Sequence, residues 1–89
     1  MTMTREECVE AAGGDDDDEL LFADGFDEAI LGVAQRFNDT FVVYDKQKVL
    51  AIMVERDGMT HQEAMEFFDF NIVGAFVGPR TPAFMDVSL

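Results

Sequence analysis

The sequence predicts a small α+β domain, ordered β-β-α-α-β, behind an acidic leader. Three observations predict it: a lopsided charge distribution, a β-rich run around position 42, and two helix-start signals after position 45. Met1 to Glu28 hold eleven acidic residues against Arg5 alone, whereas the remaining 61 residues hold eight acids against five bases. A chain of 89 residues makes one domain at most. The expected division is therefore 1–19 as a disordered acidic leader and 20–89 as the compact domain.

Within the leader, Thr4 and Glu7 have the spacing of a capping box, which allows a short helix over residues 4–12. Gly13-Gly14 would end it, and five consecutive carboxylates follow, Asp15 to Glu19. They repel one another and bury nothing, so disorder is expected there, and deletion of residues 1–19 should shift the melting temperature little.

Residues 29–37 admit two readings. Phe26, Ile30, Val33, Ala34 and Phe37 fall at helical spacing, but Gly32 weakens a helix and Asn38-Asp39 is good two-residue hairpin chemistry before Phe41-Val-Val-Tyr44. The hairpin, residues 29–37 paired with 40–44, is the favoured reading. Asp45 as N-cap and Gly58 as stop then bracket a helix over 46–57, with Val49, Leu50, Ile52, Met53 and Val54 on its apolar side. Thr60 and Glu63 form a second capping box and open the next helix. After Asp69 no charge occurs until Arg80, so residues 70–77 are expected to be deeply buried or pressed against a second chain. Residues 81–87 are read as a short returning strand.

Nine phenylalanines and six methionines are many for this length. Phe67, Phe68, Phe70 and Phe76 are read first as core, yet a domain this small cannot hide them all, so an exposed patch or homodimer seam is expected. Gly74 and Gly78 leave a strip where another backbone could approach, and Asn71 reads as a satisfied buried amide. Phe67, Phe70, Asn71, Gly74, Phe76 and Gly78 are the interaction residues this implies.

Catalytic and metal motifs fail on inspection. Calcium-loop spacing around Gly25 or Gly58 puts Leu20 or Met53 at the first ligand position. His61, the single histidine, has as partners only Cys8, in the leader, and Ser88, near the end. No phosphate loop is present. No enzyme activity, cofactor or metal is therefore expected. A single cysteine excludes an internal disulfide and suits a reducing compartment. With no signal peptide and no apolar run near about 18 residues, the protein is expected to be soluble and cytoplasmic. A net charge of −13 disfavours direct nucleic-acid binding and membrane surfaces, and favours a basic protein partner.

The runs Gly25-Phe-Asp-Glu-Ala-Ile-Leu-Gly-Val33, Val43-Tyr-Asp-Lys-Gln-Lys-Val-Leu50, Arg56-Asp-Gly-Met-Thr60 and Glu63-Ala-Met-Glu-Phe-Phe-Asp-Phe-Asn-Ile-Val-Gly-Ala-Phe-Val-Gly78, with Thr81-Pro82, carry a resemblance. The chain is similar over residues 25–85 to small uncharacterised acidic proteins found widely in tailed-bacteriophage genomes. The resemblance implies an accessory or host-interaction factor working in the host cytoplasm, and transfers no chemistry. The functional expectation is non-catalytic protein–protein binding or self-association. The alternatives are an acidic nucleic-acid mimic, of anti-restriction or anti-CRISPR type, and a small-ligand binder or enzyme. Mimicry ranks second while the leader is unstructured, because the rest of the chain carries only a small net charge.

Overall fold

The computed structural model describes residues 3–11, 20–37, 39–73, 78 and 80–87. Within these residues the fold is α+β. Helix α1 (Arg5–Ala11) is followed by a 3₁₀ turn (Asp27–Ala29), strands β1 (Ile30–Arg36) and β2 (Asp39–Asp45), and helices α2 (Lys46–Asp57) and α3 (His61–Phe67). A π-helical turn (Phe68–Val73) and strand β3 (Ala83–Met85) complete it. The sheet has the order β1-β2-β3, with β1 antiparallel and β3 parallel to the central β2.

Residues 29–37 take the strand alternative, and the hairpin loop sits one residue earlier than expected. Arg36 pairs with Asp39, so Asp39 belongs to the ladder and not to the loop. Burial decides this register. The observed pairing sets Val33 opposite the buried Val42. A loop at 38–39 would set Gln35 there, carrying an amide onto the covered face. The cost appears at Phe37, which takes a left-handed φ of 55° and is 91% exposed. Between Ile30 and Gly32 the register shifts by a bulge. Three residues apart on a regular strand, Ile30 and Val33 would face opposite sides; the bulge turns both toward the face of Tyr44 and Val42.

Helix α2 begins and ends where its sequence signals place it. The Asp45 carboxylate accepts the Lys48 N–H at 3.3 Å, and Gly58 stops the helix at φ 71°, a conformation a side chain would strain. Val49, Leu50 and Met53 are buried beneath it. Tyr44 lies at the centre of the core, its ring stacked at 5.5 Å on Phe84 of β3 while its hydroxyl accepts the Ala23 N–H at 2.7 Å. Phe68 meets Phe84 edge-on at 5.0 Å.

The separation of an acidic leader from the domain is corrected for residues 3–11. Helix α1 forms through the reciprocal capping box foreseen for it: the Thr4 N–H donates to Glu7 Oε1 at 2.9 Å, and the Glu7 N–H to Thr4 Oγ1 at 3.1 Å. The helix is packed into the body. Cys8 is fully buried within the core, Met3 and Val9 lie against it, and the Met3 N–H donates to the Ile30 carbonyl at 3.0 Å. Arg5 fastens the outer side. Its Nε–H donates to both Asp27 carboxylate oxygens at 2.9 and 3.0 Å, its Nη2 reaches Asp24 at 3.1 Å, and its guanidinium lies 4.7 Å over the Phe22 ring. The Asp15 to Glu19 block lies outside the described residues.

Burial raises the Cys8 thiol above its usual range, with the nearby Glu7 charge adding to it, and burial likewise raises the Tyr44 phenol. Both favour the neutral form in the fold. Their contribution to stability is complete below the ordinary thiol value of about 8.5, and is lost as pH climbs through the raised folded values. Urea midpoints measured from about pH 7 to about pH 10 should hold steady and then fall beyond that thiol value. A midpoint that stays flat to the alkaline end would contradict the burial of Cys8.

Candidate functional site

Helices α2 and α3 meet at a corner built by local signals. The Gly58 N–H returns to the Met53 carbonyl, and the Met59 N–H reaches the same oxygen at 3.4 Å. Thr60 then opens α3: its N–H donates to Glu63 Oε1 at 2.8 Å, and the Glu63 N–H donates to Thr60 Oγ1 at 3.1 Å. A helix fixed this way at its start presents one phase to the core. Ala64 and Phe68, four residues apart, are buried, and Ile72, four further on, is partly buried. Everything between them on the other sides faces water.

That phase decides the fate of the aromatic run. Phe68 is 1% exposed, Phe67 42% and Phe70 82%, with Met65 also outside at 42%. The expectation that Phe67 and Phe70 are core is therefore corrected, because only every fourth residue reaches the interior. Asn71 is exposed, not a buried amide. Gly78 takes φ 118°, and no described residue stands where a side chain would, so among the described residues its backbone conformation, not a close approach, calls for glycine. Gly74 and Phe76 lie outside the described residues.

Phe67 and Phe70 line an open groove of about 590 Å³ at the α2–α3 corner, together with Met59, Asp57, Glu63 and Glu66. Asn71 lines the groove as well and also borders a smaller apolar cavity of about 220 Å³ among Phe22, Phe26, Ile72, Pro82 and Phe84. The groove thus combines aromatic and carboxylate groups, and among the described residues no lysine or arginine lines it. Its three carboxylates differ. Asp57 is held by Arg56, whose Nε and Nη2 donate to its two oxygens at 3.1 and 3.0 Å; these hydrogen bonds keep Asp57 below the usual carboxylate range. One Glu63 oxygen is engaged in the capping box. Glu66 has no partner among the described residues.

Arg56 reaches in two directions. Its Nη1 donates to the Gly25 carbonyl at 2.6 Å, and its guanidinium lies 5.1 Å over the Phe26 ring. This one side chain ties the end of α2 to the N-terminal loop. In the sequence its only local signal as a tie of this kind is its position in the last turn of a helix.

The groove offers hydrophobic and electrostatic contact and no reacting pair. His61 is exposed at the start of α3, and Cys8 is buried beneath α1. Among the described residues no group of three or more His, Cys, Asp or Glu side chains is placed to hold a metal ion, and no helix is long and apolar enough to cross a membrane. Comparisons with protein-family models, curated proteins and solved structures find no match to this chain.

Proposed function

We propose that the chain is a non-catalytic binding protein that engages a protein partner through the surface formed by Phe67 of α3 and Phe70 of the π-helical turn that follows it. On this reading it is a phage-type accessory or host-interaction factor acting in the host cytoplasm. The observation that carries it is Phe70, 82% exposed beside Phe67 in a groove. A large aromatic side chain that adds nothing to the core gains its free energy when a partner removes it from water. Self-association through the same face is a weaker reading, since two copies each of charge −13 repel.

One observation favours a second reading, the acidic nucleic-acid mimic. Helix α1 is ordered, and it holds Glu6, Glu7 and Glu10 exposed on the same body as Asp24, Asp27 and Glu28. A mimic needs carboxylates carried on ordered backbone; of these, Glu7 is engaged in the capping box and Asp24 and Asp27 by Arg5. Capture from a bacterial lysate followed by elution separates the two. Binding through the aromatic face predicts that added salt slows association more than it speeds dissociation, and that DNA fails to displace the partner. Release by stoichiometric DNA, with affinity falling steeply in salt, would promote the mimic.

A further inference from the structure

The groove's chemistry points to a particular side chain on the partner, an inference that rests on the binding reading above. Twice within the fold, an arginine lies over a phenylalanine ring while pairing with a neighbouring carboxylate. Arg5 covers Phe22 at 4.7 Å and pairs with Asp24 and Asp27; Arg56 covers Phe26 at 5.1 Å and pairs with Asp57. Glu66 and Phe70 offer the same two kinds of group, a carboxylate and a ring. They stand four residues apart where α3 passes into the π-helical turn, and both line the groove. The third member is missing: among the described residues Glu66 has no partner and no base lines the groove, and the Phe70 ring is open to solvent.

We infer that the groove receives an arginine from a partner protein, its guanidinium lying on the Phe70 ring and paired with the Glu66 carboxylate. Arginine fits better than lysine because its planar, weakly hydrated head can stack on a ring while forking onto a carboxylate. Phe67 and Met59 then offer apolar surface to the side chains that flank it on the partner. The occupant is thus a basic, amphipathic segment, matched to the groove by opposite charge and by apolar contact.

The test uses the full-length protein labelled with ¹⁵N and two short amphipathic peptides, one carrying arginines and its twin with every arginine replaced by glutamine. The arginine peptide should shift the amide signals of Phe67, Phe70 and Asn71, and the glutamine twin should bind roughly three- to tenfold more weakly. Glu66→Gln should narrow the gap between the arginine peptide and its twin, the remaining difference coming from the Phe70 ring; the residue is exposed, so the melt should not change. Equal binding of the two peptides, no shifts from either, or shifts confined to α1 around Glu6 and Glu10 would each overturn the inference. The underlying reading fails separately. If Phe70→Ala abolishes capture of the lysate partner while Glu66→Gln leaves it intact, the face binds without an arginine; if neither variant alters capture, the face is not the binding surface.

Discussion

Removing residues 1–11 should destabilise the protein by about 3–4 kcal/mol, the transfer value of the apolar side chains that α1 buries. Cys8 is fully enclosed, Met3 and Val9 pack on the core, and the Met3 hydrogen bond to Ile30 closes the start of β1. A Cβ on Gly32 would stand 3.1 Å from the Met3 sulfur, which shows how closely the N-terminal segment lies on that strand. Total stability for a chain of this size is on the order of 4–13 kcal/mol, so this loss is a large share of it. The melting temperature should drop by about 15 °C or more. A shift of only a few degrees would restore the picture of an unattached leader. The ion pairs of Arg5 contribute less than the buried groups, because the arginine and both aspartates are substantially exposed.

Phe68→Ala should cost about 3–5 kcal/mol, the usual range for deleting a buried aromatic ring. The ring stands edge-on to Phe84, which itself stacks on Tyr44, so its loss opens a space between α3 and the β2–β3 side of the sheet. Phe70→Ala, two residues away, should stay within about 0.5 kcal/mol of the parent because its ring is already in water. Urea denaturation of the two variants checks the contrast. A destabilisation of Phe70→Ala as large as that of Phe68→Ala would mean that both rings are core.

The legible parts of the sequence were those with local, chemically specific signals. Asp45, Gly58, Thr60 and Glu63 fix both ends of α2 and the start of α3, and each works through a hydrogen bond or a φ angle that only a few residue types supply. The capping box at Thr4 and Glu7 was equally readable, but its packing was not: charge counted from Met1 to Glu28 averaged an amphipathic helix together with a carboxylate block, and Cys8 was lost in that average. The hairpin was readable from Phe41 to Tyr44, while its loop position depended on which of Val33 and Gln35 faces Val42, a matter of tertiary burial. The bulge at Ile30 had no local signal beyond Gly32.

The candidate site was half legible. Phe67 and Phe70 were singled out because the aromatic surplus exceeds what a small core can hold, and Asn71 because it interrupts the apolar run; all three line one groove. Taking Phe67 and Phe70 first as core was the error, since the spacing Ala64, Phe68, Ile72 already marked a single inward stripe. The groove's carboxylates escaped notice because Asp57 comes from a different helix than Glu63 and Glu66, and only the corner at Gly58 brings them together.

The binding surface is tested most directly by the affinity of Phe70→Ala for the partner recovered from lysate, measured beside the parent protein. The exposed ring of Phe70 predicts a loss of about 2 kcal/mol or more in binding, roughly thirtyfold in Kd, with the unfolding free energy unchanged. An unchanged Kd for a folded Phe70→Ala would contradict the assignment of this face as the binding surface.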